Sequence, residues 1–384
     1  MKAMPKPPSV IAFDVLVLGD HPSAYLAATL LKHKAKLRVG HAELESPDSD
    51  DRLVTINPAL FDLHPLLSGM GRKLPTTGVY GIRFLADQPD TSSESRGKSA
   101  VVCTAKYKEV RDRMEKLAET EGVEFFGAKP LQIHGVDETG VDLTVGKQRM
   151  RATALVVAGQ LAREQRAMLG MPSGWDPETM HRFTSLRCKT VKHLKLPGRS
   201  AMPMSLDLCG KLCWGWLLPG DGEFQLTVEQ SIGGSLPADA GVQLLRHWIT
   251  VLKSHGVLDA KFNFADSAAA SVDLPLAGAL AHEGVGNRTL MIGPAGGFYS
   301  ACGEDVYPGC WSAIFAADVL KKALREPHLQ DALNPFRQKW RTTLGDYLRG
   351  PHQNLRFLLP LVYRNPAMTS RLTEAILLSK SVVR

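Results

Sequence analysis

The sequence predicts an α/β protein: a Rossmann-like domain with a parallel sheet and a β-meander, an antiparallel-sheet domain, and a helical C-terminal region. Three observations carry this expectation. An apolar strand, residues 13–18, ends at Gly19 and is followed by an Ala/Leu-rich helical stretch, 23–32, and a short strand, 36–39. That strand–turn–helix–strand order favours a parallel sheet. Residues 201–232 alternate short β-rich runs with Gly/Asp turns, as antiparallel strands do. From residue 328 onward the pattern is helical, with breaks expected at Pro335, Pro351, Pro360 and Pro366.

The remaining elements follow in order. Residues 44–52 and 88–99 are polar and Ser/Asp-rich and are expected to be loops. Residues 106–121 read as an amphipathic helix with Val110, Met114 and Leu117 on one face. Residues 123–128 (VEFFGA) read as a strand, and 131–136, 140–146 and 149–159 as a β-meander. Residues 239–255 are helical. A strand at Thr289–Ile292 precedes a glycine-rich turn, and a helix runs from Cys310 to Ala323.

Composition narrows the function. The 384 residues are 44% hydrophobic, yet no run approaches the roughly 20 apolar residues of a spanning helix. The N-terminal apolar run is short and leads straight into a glycine turn, unlike a signal peptide, so a cytoplasmic location is expected. A net charge of +7 permits contact with phosphates or anionic lipid and does not indicate a nucleic-acid partner. The six cysteines contain no C-x-x-C and no zinc spacing, so they are read as reduced thiols, with no metal site.

The segment Gly19-Asp20-His21-Pro22-Ser23-Ala24 stands where a nucleotide-binding turn would carry G-x-G-x-x-G. The first glycine is present, and Ala24 is a small residue at the third position. His21 replaces the second glycine, and its side chain takes space that a pyrophosphate would use. Glu43 lies near the position from which an acidic residue binds the adenosine ribose. Taken alone, the turn fits a cofactor site and an ordinary strand–helix connection equally.

Residues 289–320 (TLMIGPAGGFYSACGEDVYPGCWSAIFAADVL) resemble the second flavin-binding motif of the geranylgeranyl reductase family, within the para-hydroxybenzoate hydroxylase-like flavoproteins. Gly293, Ala295, Gly297 and Phe298 match its first part, and Gly303, Glu304 and Tyr307 its second. The W-G-W-L-L-P-G-D-G strand pair and the segment 273–278 also resemble the family, in the family's order over residues 11–325. The resemblance implies an FAD-binding domain in two parts, 11–160 (with loop insertions at 44–100) and 288–325. It places a substrate domain at 161–287 and a helical region at 326–384.

It further implies FAD, held by Gly19, His21, Pro22, Ser23, Ala24 and Glu43 on one side. Gly293, Pro294, Ala295, Gly296, Gly297, Gly303 and Glu304 would hold it on the other, with Gly296 and Gly297 offering open N–H groups. Trp214, Trp216 and Cys302 would line the cavity for an apolar, isoprenoid or lipid-like substrate. Departures fall on cofactor contacts: Pro294 replaces an aspartate, Gln160 stands in the segment that closes the meander, and His21 fills the turn. Each lost charge-assisted contact costs about 1.5–3 kcal/mol.

Two roles are open for Glu304: proximity to the flavin ring, or capping of the following helix. The expected function is FAD-dependent hydride transfer to an apolar unsaturated substrate. The alternatives are a degenerate relative that binds a small molecule or a protein, and a flavin hydroxylase or halogenase. The basic, leucine-rich segment 349–384 is either a membrane-surface face or a packing element.

Overall fold

The computed structural model describes residues 10–33, 35–44, 52–71, 73–171, 180–210, 212–233, 236–275, 284–300, 302–348 and 355–380. In chain order, β1 (Ile11–Leu18) leads into α1 (Pro22–Lys32), and β2 (Val39–Ala42) and β3 (Leu53–Ile56) follow. Next come α2 (Pro65–Ser68), β4 (Thr77–Val79), β5 (Gly81–Leu85), β6 (Ser92–Arg96), β7 (Val102–Lys106) and α3 (Tyr107–Thr120). Strands β8 (Glu124–Phe125), β9 (Leu131–Val136), β10 (Val141–Val145) and β11 (Gln148–Val157) precede α4 (Arg163–Met168). The second half contains β12 (Met180–Cys188), β13 (Met202–Ser205), β14 (Trp214–Pro219), β15 (Phe224–Ser231), α5 (Ala240–Ser254) and β16 (Ala269–Pro275). It closes with β17 (Val285–Gly286), β18 (Thr289–Met291), α6 (Val306–Ala323), α7 (Leu329–Ala332), α8 (Pro335–Leu348), α9 (Leu355–Val362) and α10 (Pro366–Leu378).

The first sheet has the order β17-β18-β11-β1-β2-β8, and β10 and β9 extend the meander from β11. Strands β1, β2, β8, β11 and β18 run parallel, as the N-terminal pattern predicts. Period-two alternation sends Val15 and Val17 toward α1, α3 and α6, and Leu16 and Leu18 toward the meander. The second sheet has the order β16-β12-β15-β14-β13-β5-β6. Helix α5 covers one of its faces, where Trp248 and Leu252 pack on Leu217 and Leu226. The opposite face carries Trp214, Trp216 and Phe84 and meets Leu372 and Ile376 of α10.

Several expectations shift. The strand expected at 36–39 is displaced to Val39–Ala42, and that at 123–128 shrinks to two residues. Part of the expected loop 88–99 is β6, whose alternately exposed residues pair with β5 at the sheet edge. Strands β5 and β6 therefore belong to the second sheet, which β5 joins by running parallel to β13, although they lie within the stretch read as loop insertions. Helix α6 begins at Val306, four residues before the expected start. Pro360 sits inside α9 instead of ending it, whereas Pro335 and Pro366 open their helices, where a missing N–H costs nothing. Pro351 and residues 45–51 lie outside the described residues.

In the C-terminal region, α10 is a packing element against the sheet edge, while Phe357 and Leu361 of α9 are exposed. Among the described residues no helix is long and apolar enough to cross a membrane. The six cysteines are free thiols.

Candidate cofactor and ligand site

The two glycine bends meet. Gly19 ends β1 at φ 127°, and a Cβ there would stand 2.8 Å from the Ala158 carbonyl carbon, so only glycine fits where β1 and β11 converge. His41 of β2, which the sequence reading missed, donates Nε2–H to the Gly19 carbonyl at 2.6 Å. Burial pushes its imidazole down to about 4, so it is neutral there. Gly293, at φ 64°, opens the second bend. A Cβ on it would lie 2.7 Å from Ser23 Oγ and 3.2 Å from His21 Nδ1.

The His21 imidazole stands between the bends and is 4% exposed. It is the N-cap of α1: Nδ1 accepts the Ser23 N–H at 3.1 Å and lies 2.7 Å from Ser23 Oγ. Nδ1 is therefore unprotonated, and the ring proton sits on Nε2, which faces Asp305 Oδ2 at 3.6 Å. That separation makes the contact electrostatic instead of a full hydrogen bond. On the other side, a Cβ placed on Gly309 would meet His21 Cε1 at 2.8 Å.

A helix N-terminus binds phosphate through its unpaired N–H groups. Here Pro22 has none, Ser23 gives its N–H to His21, and Ala24 gives its own to the His21 carbonyl at 2.7 Å. The N–H groups expected to be open at Gly296 and Gly297 are also taken, by the Gly293 and Pro294 carbonyls at 3.0 and 2.8 Å. The Gly293 N–H donates to Ser312 Oγ. Close turns satisfy their own donors, and this corrects that expectation.

Two acidic candidates also turn away. Glu43 accepts the Tyr25 hydroxyl at 2.6 Å and so is engaged by the chain itself. Glu304 caps α6, accepting the Tyr307 N–H at 2.7 Å, while its other oxygen meets the Tyr347 hydroxyl of α8 at 3.0 Å. Of its two open roles, the geometry is that of the cap. Burial, with Asp305 beside it, raises the Glu304 carboxyl to about 8.

Between the bends and the antiparallel sheet lies a cavity of about 180 Å3. Its floor is laid out in cross-strand rows: Leu218, Gln225 and Arg187; then Trp216, Thr227, Ser185 and Ala270; then Phe183 and Val272. Its roof includes Arg52, Pro294, Cys302, Gly303 and Asp305. Trp216, Cys302, Pro294 and Gly303 thus border one cavity. Trp214 instead lies in the core, outside the lining, and Ala295 packs under the meander. Burial raises the Cys302 thiol, so it is no activated nucleophile.

The polar floor was not foreseen. Gln225 accepts the Leu53 N–H at 2.7 Å and donates Nε2–H to Thr227 Oγ1 at 3.3 Å, and the Thr227 and Ser185 hydroxyls are 3.0 Å apart. Whichever hydroxyl donates, one hydroxyl proton of the pair remains for a ligand. Arg187 donates Nε–H to Glu223 at 2.7 Å, and Lys106 approaches the other Glu223 oxygen at 3.4 Å. Arg52 binds Asp305 Oδ2 at 2.8 Å and stacks 4.0 Å over Tyr107. Burial would raise the Asp305 carboxyl, but the Arg52 charge and the His21 imidazole outweigh it and hold it well below the usual carboxylate range.

No family model and no curated protein matches the chain. Solved structures do. A geranylgeranyl bacteriochlorophyll reductase-like protein from Thermoplasma acidophilum matches with a TM-score of 0.69 at 14% identity, over 97% of this chain and 93% of that one. A flavin-dependent brominase gives 0.67 at 14% identity, over 96% and 93%. A probable FAD-dependent monooxygenase from Pseudomonas aeruginosa gives 0.62 at 14% identity, over 89% and 95%.

The chain therefore has the fold of FAD-dependent oxidoreductase-type flavoproteins, including the geranylgeranyl reductase-like branch named from its motifs. Its residues do not fit the dinucleotide half of FAD in this conformation: the phosphate donors are used internally and an imidazole fills the space between the bends.

Proposed function

We propose that the chain binds a small molecule in the cavity between the glycine bends and the sheet, on a flavoprotein fold whose dinucleotide groove is closed by its own side chains. The polarised floor carries this reading: Gln225, Thr227 and Ser185 are a hydrogen-bonded strip beside Arg187, and Trp216, Phe183 and Val272 supply apolar surface. Buried polar side chains on a sheet face are costly unless they bond something. Both guanidiniums in the lining already face a carboxylate, Arg52 on Asp305 and Arg187 on Glu223, so the proton left over from the Thr227–Ser185 pair makes the head of the ligand an acceptor. A void of about 150 Å3 holds a benzene ring, so this one suits a substituted ring better than a long isoprenoid chain.

The probes are benzoate, toluene and geraniol, followed by Trp fluorescence and calorimetry. Benzoate is expected to bind best, and Thr227→Val to weaken it about tenfold by removing one hydrogen bond. Preference for geraniol, or no response to any probe, overturns the reading.

A second reading, flavin-dependent reduction, hydroxylation or halogenation, is favoured by one observation. Pro294 and Gly303, from the flavin-motif segment, border the cavity, so a ring bound there would meet the sheet directly. Flavin would then supply the redox chemistry, and a protein that carries flavin on purification would establish this reading over the first.

A further inference from the structure

We infer that His21 is a built-in occupant of the phosphate seat of this fold, and that its imidazole is what keeps a phosphate-bearing ligand out of the Ser23 end of that seat. The imidazole does electrostatically what a phosphate oxygen would do. Its Nδ1 lone pair takes the Ser23 N–H, the donor that α1 would otherwise offer to an anion. Its opposite edge, Nε2, is buried, has no hydrogen-bond partner among the described residues and faces Asp305 Oδ2 at 3.6 Å, while Asp305 Oδ1 is buried and likewise has no partner among them. On this edge the ring presents an N–H to a carboxylate, as a phosphate oxygen could not.

The glycines around it show the size of the seat. Gly293 and Gly309 leave room for the ring and nothing more, since a Cβ on either would stand 3.2 Å or less from an imidazole atom. Take the ring away and a cradle remains, walled by Gly293, Gly309 and Ser23, with the Ser23 N–H free at the positive end of an 11-residue helix. Arg52 neutralises Asp305 across the seat, so the carboxylate there is already balanced against an arriving anion. The cavity ligand and the seat ligand are separate questions: the seat stays closed in the wild type whether or not benzoate binds the cavity.

The test is calorimetry of the full chain with inorganic pyrophosphate, ADP and FAD. The wild type is expected to take none of them at millimolar concentration. His21→Gly is expected to bind pyrophosphate and FAD at least about tenfold more tightly than the wild type. His21→Asn, which still caps the helix through its side-chain oxygen, is expected to bind less tightly than the glycine variant. Equal binding by the wild type and His21→Gly overturns the inference, as does a folded His21→Gly protein that binds no phosphate ligand.

Should the glycine variant fail to fold, the wild type still decides. The 15N shifts of the His21 ring are expected to report the Nε2–H tautomer and to stay unchanged under excess pyrophosphate. A displaced signal shows that the seat admits phosphate beside His21 and ends the proposal.

Discussion

Replacing Arg52 with methionine is expected to destabilise the fold by about 3–5 kcal/mol, because it strands a buried carboxylate. Asp305 is 4% exposed, and its charge depends on the Arg52 guanidinium at 2.8 Å. Without that partner the carboxyl must either stay ionised in a low-dielectric pocket or take up a proton. The stacking of Arg52 on Tyr107 is lost as well, a smaller effect of about 0.5–2 kcal/mol. The double change Arg52→Met with Asp305→Asn removes both charges and is expected to recover most of the loss. Urea unfolding of the two variants and the wild type measures this, and a single variant as stable as the wild type would contradict the ion-pair assignment.

Glu304→Gln is expected to stabilise the protein strongly at pH 8 and hardly at all at pH 5. An unfolded chain releases the Glu304 proton near pH 4.5, while the folded chain keeps it to about 8. The folded state therefore binds the extra proton within that window. The stability tied to it is complete below pH 4.5, declines by up to about 1.4 kcal/mol per pH unit through the window, and is gone above pH 8. Glutamine keeps the cap on Tyr307 and the contact with Tyr347 but cannot ionise. At pH 8 the melting temperature of the variant should exceed that of the wild type by about 5–10 °C. Asp305 works in the opposite sense: its stability is present at neutral pH and fades only below the ordinary carboxylate range. Thermal melts across pH 4–9 separate the two, and parallel curves for variant and wild type would show that Glu304 titrates normally.

Features encoded locally were legible in the sequence. The strand before Gly19 announces itself by a run of apolar residues and a turn glycine. The Glu304 cap is a three-residue relation to Tyr307, readable from a carboxylate at a helix start. His21 stood out because glycine was wanted there, yet its exact partners, Ser23 and Asp305, required the fold.

What escaped was set by distant pairing. The polar strand β6 (Ser-Ser-Glu-Ser-Arg) has the composition of a loop and becomes a strand only because β5 offers it an edge. Arg52 and Asp305 meet across 253 residues, with no local signal at either end. The alternation Phe224-Gln225-Leu226-Thr227-Val228-Glu229 was visible and implies one polar face. Only the structure shows that face to be buried, at 5% exposure for Gln225 and 4% for Thr227, and hence the floor of a cavity. Counting from the turn lands near Ala42, one place from Glu43, and the Tyr25 hydroxyl that engages Glu43 lies on a helix whose rotation counting does not reveal.

The most direct measurement is the visible absorption spectrum of the purified full chain, before and after addition of excess FAD and removal of the unbound fraction. A colourless protein that remains colourless is expected, because His21 occupies the space between the two glycine bends. A retained flavin band in the wild type would contradict it and show that the groove opens to the dinucleotide.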